Sequence, residues 1–245
     1  MKKDLYMKSD SIIGIIGAMD TEVEKLLLEV ENLKSESICD NDFYQGKIGK
    51  VSVVISRSGI GKVNAARCAQ IMIDRYRVSS IINSGIAGGI APGLKIGDIC
   101  IGEYLIQHDY DLTPFGYVRG HIPKEGDREK PTRFRADEGL VNIFEEVSAG
   151  ISTDNSVYRG TIVSGDQFIA ETAKKEELYQ EFNACAAEME GAAIAQCAAY
   201  AGIPFVVIRV ISDLANGDGP SSFEEFEEQA ADMSIAITNS ALKLL

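Results

Sequence analysis

The sequence predicts an α/β protein with a central mixed, mostly parallel twisted sheet that is flanked by helices. Short β-branched runs alternate with helix-like segments along the 245 residues, which is the order typical of strands joined by helical connections. Residues 205–211 form an apolar run with no solvated face, which indicates a strand covered on both sides. Polar residues follow several such runs, and α/β proteins bind ligands at the carboxyl edge of the sheet.

Length and composition are those of one large domain. The chain is 45% hydrophobic, enough for a substantial core, and contains no linker, repeat or charge block. We expect a single domain over residues 11–245, preceded by an N-terminal extension over residues 1–10. The formal charge of −13 argues against a nucleic acid or an anionic membrane as the partner.

Cysteine and histidine usage favours a cytoplasmic protein. The five cysteines are odd in number and lack C-x-x-C spacing, so we interpret them as reduced thiols. Asp4 and Asp10 are incompatible with the basic region of a signal peptide, and no apolar run reaches the roughly 18 residues of a membrane span. The two histidines, His108 and His121, cannot supply a histidine-rich metal site.

Glu22 lies just past the first predicted strand, which covers residues 11–17. Apolar residues at helical spacing over residues 23–30 predict a helix that Asp20 or Thr21 caps. A carboxylate in the first turn of that helix is favourable to its dipole. A structural role and a chemical role for Glu22 are therefore both open.

Two glycine-rich segments also follow predicted strands. Residues 43–55 predict a hairpin, and Ser58-Gly-Ile-Gly-Lys62 then opens a helix over residues 63–76. These glycines permit close approach of a ligand, but the spacing is neither Walker A nor G-x-G-x-x-G, and a tight turn explains it equally well. The strand at 80–84 ends in Gly85-Ile-Ala-Gly-Gly89, where close packing alone is also sufficient.

Residues 108–131 form a long polar loop after a predicted strand over 97–107, and loops of this length are typically lids or interfaces. His108 beside Asp109 suggests an acid–base pair. Adjacent strand residues point apart, however, so a structural hydrogen bond is favoured for His108. Further on, Phe168 follows the end of another strand and could either stack on a flat ring or belong to the core.

The densest group of polar residues surrounds an alanine-rich run over residues 191–201, which predicts a buried helix. Glu188 and Glu190 precede this run, and Asp213 ends the strand that follows it. Together with Glu22, these carboxylates fall at strand ends on one expected edge of the sheet. We place the chemistry of the protein there.

Six motifs occur in one order along the chain. They are Gly14-Ile-Ile-Gly-Ala-Met-Asp-Thr-Glu22, Ser58-Gly-Ile-Gly-Lys62, Asn83-Ser-Gly-Ile-Ala-Gly-Gly89, Val163-Ser-Gly-Asp-Gln-Phe-Ile169, Glu188-Met-Glu190 and Arg209-Val-Ile-Ser-Asp213. Together they resemble the 5′-methylthioadenosine/S-adenosylhomocysteine nucleosidases of the nucleoside phosphorylase superfamily, from about residue 12 to residue 245. The resemblance implies a nucleoside phosphorylase-like fold and hydrolysis of an adenine thionucleoside by water, in a homodimer, without cofactor or metal.

The resemblance also implies roles for individual residues. Glu22 matches the general base for the attacking water, with Arg209 nearby to orient it. Asp213 matches the acid that protonates adenine N7, beside Ser212. The remaining substrate-binding positions are Glu190 and Met189 at the ribose, with Glu188 beside them, Phe168 and Ile169 at the adenine, and Met19, Ile60, Leu112, Phe115 and Phe223 as apolar walls. Tyr117 and Pro123 match the loop that crosses to the partner subunit.

One motif departs from the family pattern. Ile86 stands where the family usually has Ser or Thr, so a hydroxyl near the sugar and the water is missing. The substrate pocket still includes this position. The change puts the preferred substrate in doubt, but not the family.

Four other functions compete with this hypothesis. A phosphorylase of the same superfamily needs several arginines to hold phosphate, and only Arg57 lies near the glycine turn, while Glu22 would repel phosphate. A hydrolase of futalosine or its 6-amino analogue shares the architecture. A non-catalytic nucleoside-binding protein would not need both an acid and a base. A dinucleotide-binding oxidoreductase would carry G-x-G-x-x-G, which is absent from the sequence.

Overall fold

A ten-stranded sheet organises the computed structural model of the chain, which describes residues 11–124, 127–151, 154–217 and 219–245. The strands are β1 (Ile12–Gly17), β2 (Glu31–Ile38), β3 (Asn41–Ile48), β4 (Val51–Arg57), β5 (Ser80–Gly89), β6 (Ile99–Gln107), β7 (Phe134–Arg135), β8 (Val157–Ser164), β9 (Ala184–Glu188) and β10 (Phe205–Asp213). The helices are α1 (Glu24–Leu27), α2 (Lys62–Arg75), α3 (Glu138–Ile151), α4 (Thr172–Phe182), α5 (Gly191–Ala201) and α6 (Gly219–Leu242). The predicted extension over residues 1–10 lies outside the described residues.

The sheet is partly closed on itself. Its order is β2-β3-β4-β1-β5-β9-β8-β6-β10, and β10 also pairs with β5, so that five strands form a ring from which β1 to β4 extend. The pairings of β1 with β4 and β5, and of β5 with β10, are parallel, whereas β10 with β6 and β5 with β9 are antiparallel. The predicted mixed α/β sheet is confirmed.

Strand β10 lies at the centre of the buried structure. Every one of its nine residues is buried, because β5 and β6 pair with its two edges while α5 and α6 pack against it. The absence of a solvated face in residues 205–211 was the sequence feature that predicted such a strand. The strand therefore carries its last residues, Ser212 and Asp213, into the buried interior.

The segment after β1 differs from the sequence prediction. A 3-10 turn over Asp20–Glu22 and the single turn of α1 replace the helix expected over 23–30, and Met19 is the N-cap rather than Asp20 or Thr21. The chain then enters β2, a largely exposed edge strand. Its polar sequence, ENLKSESI, has no apolar pattern from which a strand could be predicted. Pairing with β3 supplies the stability that the local sequence does not.

Two further boundaries were not predicted. Strand β5 continues through Gly85-Ile-Ala-Gly-Gly89 instead of ending before it, because these residues pair with β10 and β9. Strand β9 precedes Glu190 where the sequence indicated only the start of a helix. The glycine-rich end of β5 and the alanines of β9 have few atoms to pack, so both segments depend on pairing with strands that are distant in sequence.

No helix within the described ranges is both long and apolar enough to cross a lipid bilayer.

Candidate active site

Four carboxylates line one cavity of about 110 Å³ at the carboxyl ends of β1, β9 and β10. They are Glu22, Glu188, Glu190 and Asp213, none of which is more than 7% exposed. The convergence expected from their positions at strand ends is confirmed. Residues nearly two hundred positions apart thus share a site that excludes most of the solvent.

Among the described residues, the groups that hydrogen-bond to the Glu22 carboxylate are backbone amides. Its Oε2 accepts hydrogen bonds from the N–H groups of Ala18 (2.5 Å) and Met19 (3.0 Å), and its Oε1 accepts one from Ile86 N–H (3.1 Å). A Cβ at Gly85 would lie 2.3 Å from Glu22 Oε1. Glycine at that position of β5 is therefore a steric requirement for the carboxylate to reach the cavity.

Asp213 is 1% exposed and is held by two donors. Its Oδ1 accepts a hydrogen bond from Ala215 N–H (2.8 Å), and the Ser212 hydroxyl donates to Oδ2 (3.0 Å). Ala215 adopts a φ of 47°, an uncommon left-handed conformation that turns its amide back toward the carboxylate. The end of β10 thus presents a fixed carboxyl group to the cavity.

Glu188 and Arg209 form a buried ion pair behind the cavity. Arg209 Nη2 lies 2.5 Å from Glu188 Oε2, and the two side chains are only 2% and 3% exposed. Glu188 also accepts hydrogen bonds from Gly191 N–H (2.7 Å) and from the Ser164 hydroxyl. Arg209 donates as well to Asn83 and does not line the cavity, so it acts on the site through Glu188 and through its charge.

Glu190 has a different environment from Glu188. Its Oε1 accepts one hydrogen bond from Gly61 N–H (2.7 Å), in the turn that precedes α2. Burial and the nearby charge of Glu188 raise the pKa of Glu190 to about 8. Burial likewise raises the pKa of Glu22, against the opposing charge of Arg209, and raises the pKa of Asp213. Three carboxyl groups that retain protons above their usual range therefore face one cavity.

The rest of the cavity wall is apolar. The predicted residues that line it are Met19, Ile60, Ile86, Phe168, Met189 and Phe223, with Ser212 as a polar exception. Phe168 and Phe223 meet edge to face with ring centres 5.8 Å apart. Phe168 and Ile60 are 48% and 54% exposed and mark the mouth of the cavity.

The structure does not bring every predicted residue to the cavity. Leu112, Phe115, Tyr117 and Pro123 lie in the loop between β6 and β7 and do not line it, and Phe115 is 74% exposed. Ile169 is buried in a small core beside the Phe168 turn. Prediction from sequence missed four small wall residues that have no chemistry of their own, namely Ala18, Ala87, Gly88 and Ala187. Ala18, Ala87 and Gly88 stand inside quoted motifs, which was their only signal, and Ala187 directly precedes Glu188-Met-Glu190.

The prediction of a hydrogen-bonded His108 is wrong. The ring is 1% exposed, and neither Nδ1 nor Nε2 has a hydrogen-bond partner within the described part of the chain. It packs against Gly165, where an added Cβ would lie 2.4 Å from Nε2. Burial lowers the pKa of His108 to about 4, so the ring is neutral. Its neighbour Asp109 instead pairs with Lys62.

Among the described residues, no group of three or more His, Cys, Asp or Glu side chains has the geometry of a metal site. The four carboxylates of the cavity accept hydrogen bonds from backbone amides, hydroxyl groups and Arg209. The arrangement can donate and accept protons on two sides of a bound molecule, with an apolar surface between them.

A chain with this fold and this buried cluster of carboxylates belongs to the phosphorylase superfamily, whose family model matches residues 12–245. Over 234 residues it is 41% identical to the 5′-methylthioadenosine/S-adenosylhomocysteine nucleosidase of Tolumonas auensis, with 95% of this chain and 99% of the relative covered. The same nucleosidase from Neisseria meningitidis, in complex with methylthio-immucillin-A, is 37% identical with a TM-score of 0.90 and covers 96% of this chain and 100% of its own. The predicted nucleosidase family is thereby confirmed.

The chain is also similar to a futalosine hydrolase from Helicobacter pylori. That structure is 33% identical with a TM-score of 0.88, and the match covers 96% of this chain and 98% of the other. The likeness matters because this hydrolase was one of the alternatives left open by the sequence.

Proposed function

We propose that this protein hydrolyses the N-glycosidic bond of 5′-methylthioadenosine and S-adenosylhomocysteine, releasing adenine and the 5-thio-substituted ribose. The observation that carries the proposal is that Glu22 and Asp213 share one buried, largely apolar cavity. Curated relatives near 40% identity over almost the whole chain bear the corresponding name.

Asp213 is the proposed general acid. Adenine leaves poorly as an anion, so protonation at N7 lowers the main barrier, and such catalysis typically contributes 10²–10⁴-fold. An acid that works near neutral pH needs a raised pKa, and burial raises the pKa of Asp213. The Ser212 hydroxyl and the Ala215 amide keep the group in place while it donates.

Glu22 is the proposed general base. Its carboxylate orients and deprotonates the water that attacks the sugar carbon, while the charge of Arg209 favours the ionised form. Glu190 is the proposed ligand of the ribose hydroxyls, with Met189 beside it. When Glu22 or Glu190 is ionised, its negative charge near the sugar favours an oxocarbenium-like transition state.

The apolar wall formed by Met19, Ile60 and Phe223 fits the thio-substituent, because a thioether offers no strong hydrogen bond. Phe168 is the proposed stacking partner of adenine, and the backbone of Ile169 the proposed polar contact. Ile86 contributes an apolar side chain, while its amide binds Glu22. The hydroxyl that the family usually has at this position is replaced by packing surface.

The functional unit that we propose is a homodimer in the cytoplasm. Tyr117 and Pro123 lie away from the cavity of their own chain, which supports their assignment to a loop that crosses to a partner. Leu112 and Phe115, which the resemblance assigned to the apolar walls, lie in the same loop and also away from this cavity. All five cysteines are unpaired, as expected in a reducing compartment. Sedimentation equilibrium tests the assembly, since a monomer at assay concentration would contradict it.

Adenine release in phosphate-free buffer tests the activity. We expect turnover without phosphate, because a buried carboxylate at position 22 repels phosphate but activates water. Asp213→Asn and Glu22→Gln should each lower kcat by about 10²-fold or more. Glu24→Gln, an exposed neighbour of Glu22, should leave it unchanged. Dependence on added phosphate would favour the phosphorylase instead.

The likeness to the Helicobacter pylori enzyme makes futalosine hydrolysis a second candidate. The same cavity would serve, with a different substituent on the sugar. Comparison of kcat/KM for methylthioadenosine and 6-amino-6-deoxyfutalosine decides between them. Binding of nucleosides without release of any base would instead indicate the non-catalytic alternative.

A further inference from the structure

Two irregular turns border the mouth of the cavity. The first, Ser58-Gly-Ile-Gly-Lys62, supplies Ile60 to the wall and the Gly61 N–H that binds Glu190 Oε1 at 2.7 Å. The second follows β8 and supplies Phe168. The relative position of these turns therefore sets how Glu190 and Phe168 face a bound nucleoside.

The first turn is tied at its start by Ser58, whose N–H donates to the Gly17 carbonyl oxygen (2.9 Å), but its middle has weak conformational preferences of its own. Gly59 and Gly61 have φ values of 82° and 99°, which only glycine adopts without strain. Such a segment is disordered by its own backbone entropy unless contacts from elsewhere hold it. Asn64 binds the Ile60 carbonyl oxygen from within α2 (2.8 Å), but this bond does not reach the second turn.

Asp109 connects the two turns. Its Oδ1 lies 2.5 Å from Lys62 Nζ, and its Oδ2 accepts a hydrogen bond from Asp166 N–H at 2.9 Å. Asp166 Oδ1 in turn accepts from Lys62 N–H at 2.8 Å, which closes the circuit. Lys62 Nζ also donates to Gln107 (3.0 Å), whose own amide binds Gln196.

This circuit is partly shielded from solvent. The side chains of Lys62 and Asp109 are 16% and 17% exposed, so their attraction is screened less than that of a surface pair. Although burial alone would raise it, the pKa of Asp109 lies below its ordinary value because Lys62 and the Asp166 amide donate to the carboxylate. Asp109 does not line the cavity and is not needed for the proposed proton transfers.

We propose that Asp109 is a positioning residue. It holds the Ser58–Lys62 turn against the Asp166 turn, so that Glu190 is oriented to bind the ribose hydroxyls. The inference rests on the proposed function and deepens it. Without the Asp109 carboxylate, the Lys62 N–H bond to Asp166 Oδ1 is left to join the two turns, so the distance from the Gly61 amide to Glu190 is less closely fixed. The affinity for the sugar hydroxyls should then fall, while Asp213 and Glu22 keep the hydrogen bonds that hold them.

The experiment compares Asp109→Ala and Asp109→Asn with Asp111→Asn in the full-length protein. Asp111 is the matched control, since it lies in the same loop and its carboxylate accepts a hydrogen bond from the Thr113 amide, two residues away, rather than from either turn. Each variant is assayed with methylthioadenosine and with its 2′-deoxy analogue, and its thermal unfolding is recorded.

We expect both Asp109 variants to raise KM for methylthioadenosine about tenfold or more, with kcat changed less. Their preference for methylthioadenosine over the 2′-deoxy analogue should shrink by a similar factor, and Asp111→Asn should stay within about twofold of wild type. Lys62→Met should behave like Asp109→Ala. The double variant, with both Lys62→Met and Asp109→Ala, should have a KM no higher than that of either single variant.

Equal losses on both nucleosides, or no loss at all, would overturn the proposal. If Asp109→Ala unfolds, Asp109→Asn and Lys62→Met decide the question by the same ratio. A wild-type protein that releases no adenine would contradict the proposed function instead. In that event calorimetric titration with the two nucleosides gives the same ratio as a ratio of dissociation constants.

Discussion

At the scale of single residues, the cavity holds carboxyl groups in conditions that oppose their charge. Glu22, Glu190 and Asp213 are each buried, and burial raises the pKa of all three. Elsewhere in the cavity, Glu188 has the same chemistry but is matched by Arg209. Environment, rather than residue type, thus separates a structural carboxylate from three that can exchange protons.

Gly85 allows a sharp test of Glu22. In Gly85→Ala the new Cβ would meet Oε1 at 2.3 Å, so the carboxylate must move, and misplacement of this kind can cost about 10²-fold in rate. Adenine release should fall by about that factor. Gly150→Ala, in α3 with open space around it, is the control and should keep full activity. Near-normal turnover by Gly85→Ala would show that Glu22 need not stay in place.

Burial of Glu190 should lower the stability of the folded protein at neutral pH. Its folded pKa of about 8 exceeds the ordinary value of 4.5, so the unfolded chain loses this proton first as pH rises. The free energy of unfolding therefore falls as the pH rises from 4.5 to 8, and at pH 7 it has fallen by roughly 3 kcal/mol. Urea denaturation should show Glu190→Gln to be more stable than wild type at pH 7, with the gain vanishing near pH 4.5.

Two observations accompany that measurement. Glu190→Gln should also lose affinity for the nucleoside, which is the trade-off typical of functional sites. Glu224→Gln, an exposed substitution on α6, should change neither property. An unchanged midpoint for Glu190→Gln at every pH would mean that Glu190 is ionised without cost in the folded protein.

At the scale of elements, the junction of β9, α5 and β10 depends on one ion pair. Glu188 ends β9 and receives the first amides of α5, while Arg209 reaches it from the middle of β10. A negative charge at a helix N-terminus is favourable, and a buried positive charge beside it compensates the burial of both. The pair therefore joins three elements around the cavity.

Removal of one partner should be costly. Arg209→Met leaves Glu188 buried without its counter-charge, for which we expect a loss of about 3–5 kcal/mol in unfolding free energy. Arg209→Met with Glu188→Gln should recover part of that loss. The exposed pair of Arg75 and Glu36 is the comparison, and Arg75→Met should cost less than about 1 kcal/mol. Equal costs for the two arginines would contradict this account.

Elements with strong local signals were predicted correctly, and those with weak signals were not. The strand over residues 157–164 and the helix over 191–201 agree with β8 and α5 because β-branched runs and alanine-rich runs have clear preferences. Strand β2 was missed because its residues are polar, and pairing with β3 decides its conformation. The strand predicted over residues 80–84 stopped short of the glycines at the end of β5, because pairing with β10 and β9 rather than local preference makes them a strand.

At the scale of the whole molecule, the closed ring of strands determines the site. Pairing of β10 with β5 brings Asp213 beside Gly88, and pairing of β1 with β5 brings Glu22 beneath Gly85. Neither contact is local, and each requires the register of several strands. The nucleosidase site is therefore a property of the folded sheet as a unit.

The stability of the whole molecule should also depend on His108. Its folded pKa of about 4 lies below the ordinary 6.5, so the unfolded chain binds this proton first as pH falls. Stability is lost between pH 6.5 and pH 4, by up to about 3 kcal/mol. His108→Leu removes this contribution. The unfolding free energy of the variant relative to that of wild type should therefore rise as the pH falls from 6.5 to 4. A constant difference would show that the ring is not held neutral.

The sequence by itself determined the α/β class, the order of most strands and helices, and the family, because these follow from local periodicity and colinear motifs. It also identified the carboxylates at strand ends. Only the tertiary structure decided that Arg209 pairs with Glu188, that Asp109 bridges two turns and that His108 has no side-chain hydrogen bond among the described residues. These arrangements depend on residues that are far apart in the chain and that only the folded sheet brings together.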